Sequence, residues 1–293
     1  MLRFPLATIQ TALLRICLSI LNGHRKLQKI ALIASLALLF CAPALAVQRE
    51  EVEIAANGGR MLSGVLFLPE APNPAPAVIV MHTAFGSVES FDEQYAEALA
   101  EQGFVALAPN YVHPSLAKRL WTPVITSDVS KLVDYLRTRS ESKDMPVGTV
   151  GFSFGSRGIL LAARRSEVKA VVVYYGTFDI RKEKGIKLAP KALVPVMVAD
   201  QVNAAVLLLH GDADNEIPVE SAREMKAALE AAGKKVELIE YPGARHRFDR
   251  GPNALMRRDT TRDGYIYRKD EAAAKDAFDR TIAWLKTHLR AAP

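Results

Sequence analysis

The chain has 293 residues, of which 49% are apolar and 24% charged, enough for one sizeable core. Its formal charge of +6 would suggest an acidic partner, yet residues 1–46 hold Arg3, Arg15, Arg25, Lys26 and Lys29 and no acid, leaving 33 basic against 32 acidic residues beyond Ala46. That balance removes the electrostatic case for nucleic acid. Both cysteines, Cys17 and Cys41, also precede Ala46, so the remainder has neither a disulfide nor a free thiol and must be held by its core.

Residues 1–46 read as a leader. The basic patch His24–Lys29 precedes an uncharged apolar run, Ile30–Phe40, and then Ala42-Pro43-Ala44-Leu45-Ala46. Small residues at Ala44 and Ala46 suit a leader peptidase, so cleavage is expected after Ala46. Ile30–Ala46 is short for a span, which takes about 20 residues; an uncleaved anchor is the alternative. Phe40 before Cys41 argues against lipid attachment. The expectation is an exported protein, periplasmic or secreted, with a single domain over residues 47–293 and no membrane association once the leader is gone.

Strands and helices then alternate. Glu51–Ala56 and Met61–Leu68 read as a hairpin turning at Asn57-Gly58-Gly59. Ala77–Met81 is continuously apolar, as a strand buried on both faces should be. A helix is expected over Ser90–Gln102, stopping at Gly103, then a strand at Phe104–Ala108. Ser127–Arg139 reads as a helix capped by Ser127. A strand at Val147–Val150 and a helix at Ile159–Arg165 follow. Val168–Tyr175 and Ala204–Leu209 are further buried strands. Val219–Ala232 is helical, Lys235–Tyr241 a strand, and Glu271–Leu289 a long final helix. This alternation predicts a mostly parallel sheet with helices on both faces, and chemistry at the strands' carboxyl ends.

One pentapeptide stands where that chemistry would be, Gly151-Phe152-Ser153-Phe154-Gly155. Between a strand and a helix, G-x-S-x-G puts its serine on a sharp turn with the hydroxyl exposed. Serine needs a base, and the base an orienting acid. Asp212 and Asp214 compete for the acid in the turn before Ile217-Pro218. His246, just past the Lys235–Tyr241 strand, is the candidate base. Alone, an aspartate in a turn is more often a local cap. Three such residues at successive strand ends, in the order Ser, Asp, His, point to nucleophilic acyl transfer. His82, ending the Ala77–Met81 strand, reads as structural. Lys118, Arg119 and Trp121 could line a pocket, although long side chains also cover apolar surface without a ligand. The scattered histidines exclude a metal site by spacing, and no phosphate loop or dinucleotide fingerprint occurs.

These residues also resemble the dienelactone hydrolase family, a compact branch of the α/β-hydrolases. The likeness covers most of Val78–Leu289 and is carried by V-I-V-M-H-T-A-F-G at Val78–Gly86, A-L-A-P-N at Ala106–Asn110, Tyr174-Tyr175-Gly176, Asp214 to Pro218, and G-A-R-H-R-F at Gly243–Phe248. The resemblance implies an α/β-hydrolase fold with Ser153 as nucleophile, Asp214 as acid and His246 as base. It implies Ala84 and Phe154 as oxyanion-hole donors and Arg250, four residues after His246, as the receiver of a substrate carboxylate. Two positions depart from the family pattern. Ser153 stands where cysteine is usual, and Thr83 stands at a substrate-side position usually held by a glutamate that controls the thiol. A serine nucleophile needs no such control, so the two changes agree. The segment Thr177–Asn203 is longer than the family pattern, and its charged start, Arg181-Lys182-Glu183-Lys184, reads as a solvated face, or less simply as a lid.

The expected function is hydrolysis of a small ester or lactone through an acyl-enzyme, with no cofactor, no metal and no nucleic-acid partner, by a monomer. A peptidase or acyltransferase using the same residues, or an inactive binding protein, is the alternative.

Overall fold

The computed structural model describes residues 47–70, 74–84, 91–111, 124–185, 187, 193–250 and 269–290. The expected leader, Phe85 and Gly86, and Lys118, Arg119 and Trp121 lie outside them. All of the described residues belong to the unit Val47–Pro293.

Strand β1 (Gln48–Ala55) pairs antiparallel with β2 (Met61–Leu68) around a 3₁₀ turn at Asn57–Gly59. Gly58 and Gly59 there have φ of 74° and 72°, which glycine adopts without penalty. Six further strands follow: β3 (Ala77–Met81), β4 (Val105–Pro109), β5 (Val147–Phe152), β6 (Val168–Tyr174), β7 (Ala205–Gly211) and β8 (Val236–Tyr241). The sheet order is β1-β2-β4-β3-β5-β6-β7-β8. β2 meets β4 antiparallel, and every pairing from β4 to β8 is parallel. The expected mostly parallel sheet is present.

The helices are α1 (Phe91–Ala100), α2 (Val124–Thr138), α3 (Gly155–Ala162), α4 (Ile180–Lys184), α5 (Val219–Ala231) and α6 (Glu271–His288). They divide between the faces of the sheet, and β3 touches both sets. Its alternate residues Ala77, Ile79 and Met81 join one core with Val129 and Leu132 of α2, Ile159 of α3 and Met225 of α5. Val78 and Val80 join the other, with Tyr95 and Leu99 of α1 and Ala277 and Leu285 of α6. A strand covered on both faces has no polar position, which explains its unbroken apolar run. Each large aliphatic side chain so buried contributes about 1.5–3 kcal/mol.

Element boundaries differ where local signals compete. α2 begins at Val124, one turn before the expected cap Ser127. Pro123 precedes it directly. Proline lacks the N–H that a helix interior needs, so a start near it is compatible with the sequence. α6 begins where the sequence asks, with Asp270 accepting the Ala273 N–H at 3.0 Å. The charged start of the Thr177–Asn203 segment forms the short α4, with Arg181 and Lys182 exposed. Among the described residues, no helix is long and apolar enough to cross a membrane.

Candidate active site

Because β3 through β8 run parallel, their carboxyl ends share one edge of the sheet, and Ser153 sits there between β5 and α3. Its φ is 50°, a region that costs a non-glycine residue energy and that tight functional turns tend to hold. Three contacts fix the turn. The Ser153 N–H donates to Tyr174 O at 2.9 Å. Ser156 Oγ donates to Ser153 O at 2.6 Å and accepts the Thr177 N–H at 2.9 Å. Gly155 opens α3 against the end of β3, where a Cβ would lie 2.6 Å from the carbonyl oxygens of both Met81 and His82. Only glycine permits that approach. It seats the helix start, with Phe154 behind Ser153, beside the chain that leads through Thr83 to Ala84. Thr83 is buried and Ala84 exposed.

The loops after β7 and β8 bring the other two residues to Ser153. His246 Nε2 lies 3.0 Å from Ser153 Oγ, and His246 Nδ1 lies 2.7 Å from Asp214 Oδ2. The second Asp214 oxygen accepts the N–H groups of Glu216 and Ile217, both at 2.9 Å. A carboxylate so held takes the Nδ1–H, leaving the Nε2 lone pair for the serine hydroxyl. Burial alone would push the Asp214 carboxyl up. The attraction of His246 and hydrogen bonding from His210 and His246 outweigh it and hold Asp214 well below the usual carboxylate range. Burial likewise pulls His246 down, but Asp214 overcomes it, and the imidazole lies above its ordinary value. His210, not singled out from sequence, donates from Nε2 to Ile217 O at 2.8 Å with Asp214 Oδ2 3.4 Å away.

The choice between the two aspartates is geometric. Asp212 is exposed and accepts the Gly243 N–H at 2.6 Å, tying the β7 loop to the β8 loop. Gly211 beside it packs on Ala244, whose carbonyl a Cβ would overlap. Asp212 therefore joins the loops together, and Asp214 meets the histidine.

A layer of buried polar groups behind these residues was invisible in the sequence, because its partners are far apart along the chain. His82 donates from Nδ1 to Thr83 O at 2.6 Å, accepts the Tyr111 N–H on Nε2 at 3.3 Å, and stacks on the Tyr111 ring at 4.0 Å. Tyr111 OH returns to His82 O at 2.6 Å. Both ring nitrogens are satisfied only in the neutral form, and burial lowers the His82 pKa to match. This histidine is a brace for the Thr83–Ala84 turn. Tyr175, with a φ of 39°, sets its ring edge-on to His246 at 4.7 Å and donates its hydroxyl to Asp249 Oδ1 at 2.8 Å.

Arg250, which the resemblance assigns to a substrate carboxylate, has carboxylates of the protein's own. Its side chain is 4% exposed, with Nη1 3.1 Å from Asp92 Oδ1 and Nε 3.3 Å from Asp249 Oδ2. The guanidinium carbon lies 3.7 Å from the centre of the Phe91 ring and 4.0 Å from that of Phe152, two rings that meet edge to face. It links α1 to the histidine loop. Arg157 on α3 differs: it is 5% exposed, and no hydrogen bond or ion pair reaches its side chain among the described residues. Nor does any cluster of three or more His, Cys, Asp or Glu there suit a metal ion.

A model of the dienelactone hydrolase family matches residues 62–289. An Escherichia coli protein assigned as a carboxymethylenebutenolidase is 31% identical over 234 residues, 75% of this chain and 79% of the relative. A Bradyrhizobium protein assigned as a 2-oxo-3-(5-oxofuran-2-ylidene)propanoate lactonase is 29% identical over 251 residues, covering 81% and 94%. Among solved structures, one from Klebsiella pneumoniae assigned as a dienelactone hydrolase superposes with a TM-score of 0.67 at 26% identity, covering 83% of this chain and all of the other.

Proposed function

The chain belongs to the dienelactone hydrolase family of the α/β-hydrolases and is a carboxylic ester hydrolase; we propose that it cleaves a small ester or lactone through an acyl-enzyme on Ser153. The observation that carries this reading is the unbroken hydrogen-bonded chain from Ser153 Oγ through His246 to Asp214, with the serine on a left-handed turn.

The chemistry follows from the geometry. Ser153 Oγ attacks the ester carbonyl carbon as His246 Nε2 takes the hydroxyl proton. Asp214 stays ionised and stabilises the imidazolium. The carbonyl oxygen becomes an oxyanion and is received by the N–H groups of Phe154 and Ala84, the first at the positive end of α3. Collapse breaks the ester bond, and the imidazolium protonates the departing alkoxide; in a lactone that oxygen remains tethered to the acyl group. Water then attacks the acyl-enzyme with His246 again as base, releasing the acid and restoring the Ser153 hydroxyl. These steps use side chains and backbone alone.

The names of the relatives indicate the substrate class. One carries a carboxymethylene group and one a propanoate on a furan-type lactone. We propose that the substrate here is likewise an ester or lactone bearing a carboxylate. Thr83 belongs to the wall on the substrate side of the β3 loop. Arg250, ion-paired twice, is assigned to bracing the histidine loop. We propose also that residues 1–46 are removed and that the enzyme works outside the cytoplasm, on the strength of the basic patch, apolar run and Ala-x-Ala site.

The test is mutational. Ser153→Ala and His246→Ala each lower kcat/KM on para-nitrophenyl butyrate by several orders of magnitude, and the double variant is little worse, because the two act as one unit. Additive losses would contradict a shared proton path.

A further inference from the structure

We infer that Arg157 is the residue that reads the substrate's carboxylate, an assignment that rests on the ester hydrolysis proposed above. Arg157 and Arg250 each hold one enclosed guanidinium nitrogen without a hydrogen-bond partner, Nε in the first and Nη2 in the second, and differ in ion pairing. Arg250 is paired with Asp92 and Asp249. Arg157 has no counterion among the described residues, and its enclosed Nε has no hydrogen-bond partner. A guanidinium taken out of water without a partner is costly, and in a folded protein such a group is ordinarily paired.

Neither acid in its field makes an ion pair with it. Asp179 holds Arg181 through both oxygens, at 2.7 Å and 2.6 Å, and caps the Arg181 N–H. Glu183 Oε1 takes the N–H groups of Phe178 and Asp179 at 2.8 Å and 2.9 Å, and its buried Oε2 has no hydrogen-bond partner. Asp179, Glu183 and Tyr111 act on Arg157 from a distance, and burial dominates, pulling its pKa down. Among the described residues the charge is thus met only at a distance, by no hydrogen bond or ion pair.

Its position ties that charge to the reaction. Arg157 stands one helical turn beyond Ser153 on α3. Its Cζ lies 5.7 Å from the centre of the Phe154 ring, on the residue whose N–H is assigned to the oxyanion. Tyr111, beyond the end of β4, and Asp179, beyond the end of β6, are its electrostatic neighbours. All of these belong to the edge of the sheet that carries Ser153. A carboxylate on the ester matches the planar fork of a guanidinium in two-pronged geometry, and such a bond is strong where water is excluded. The anion would supply the missing counterion only when substrate is bound. Selection for charged substrates then comes from the nucleophile's own helix rather than from the histidine loop.

The experiment compares two esters of similar length, para-nitrophenyl butyrate and the mono-para-nitrophenyl ester of glutaric acid, in wild type, Arg157→Gln and Arg157→Lys. The ratio of kcat/KM for the charged ester to that for the neutral one falls about 10- to 100-fold in Arg157→Gln, the loss of one charge-assisted hydrogen-bonded pair. Lysine, which keeps the charge but not the fork, gives an intermediate ratio. An unchanged ratio overturns the assignment whatever the absolute rates. Thermal unfolding supplies a readout independent of turnover. Free glutarate raises the melting temperature of wild type more than that of Arg157→Gln. Without glutarate, Arg157→Gln melts no lower than wild type, since an unpaired buried charge has been removed; melting well below it would mark Arg157 as a structural residue and overturn the inference. If Ser153→Ala still hydrolysed both esters, the acyl-enzyme reading would fail on its own, and the glutarate shift would still judge Arg157.

Discussion

His246 Nδ1 meets Asp214 Oδ2 at 2.7 Å while the other Asp214 oxygen is fastened by two backbone N–H groups, so the carboxylate cannot turn away from the imidazole. The consequence is a pH dependence with a definite sign. His246 must be neutral to accept the serine proton, and Asp214 raises its pKa above the ordinary histidine value of about 6.5. The acid limb of kcat/KM therefore has its midpoint above that value, and activity is lost as pH falls through it. Asp214→Asn removes the charge that raises the pKa. It moves the limb to lower pH and lowers kcat by a factor on the order of 10³–10⁴. Asp212→Asn, at an exposed loop tie, changes kcat by about twofold or less. A pH–rate profile of both variants checks this; the reverse ranking would reassign the acid.

Arg250 is the hub of a buried chain, Tyr175–Asp249–Arg250–Asp92, that joins α1 to the histidine loop. Removing the guanidinium leaves two buried carboxylates without their counterion. Arg250→Met should therefore lower the unfolding free energy by about 3–5 kcal/mol, read by urea denaturation. Its residual activity should fall equally on neutral and carboxylate-bearing esters. A stable variant with a loss confined to the anionic ester would return substrate recognition to Arg250.

Much of the site is legible in the chain because its signals are local. The G-x-S-x-G turn lies between a strand and a helix, and Asp214 and His246 each follow a buried strand. Parallel strands then require the three to converge on one edge. Asp212 and Asp214 cannot be separated that way, since both sit in a polar turn and each accepts backbone N–H groups. The choice depends on which one the β8 loop reaches. The pairing of Arg250 is hidden for a related reason: its partner Asp92 lies far upstream in sequence, and ion pairing is not a local property. Arg157 offers the converse case: among the described residues no hydrogen bond or ion pair reaches its side chain, which no spacing reveals. At the start of α2 a local signal misleads: Ser127 has the chemistry of a cap, yet the helix already begins at Val124.

Export is tested at the protein level. The basic patch, the apolar run and Ala44-Leu45-Ala46 predict a mature chain beginning at Val47. N-terminal sequencing of the protein recovered from the periplasm or medium of the expressing cell should read Val-Gln-Arg-Glu. A full-length chain retained in the membrane fraction would instead establish an anchor.

The central claim is that Ser153 carries the acyl group. Mass spectrometry of the protein after treatment with a fluorophosphonate, followed by peptide mapping, tests it most directly. The expected result is one adduct on the peptide containing Ser153, formed in step with loss of ester hydrolysis, and none in Ser153→Ala or after protection by a slow ester substrate. An adduct on another residue, or full hydrolytic activity in the labelled protein, would contradict it.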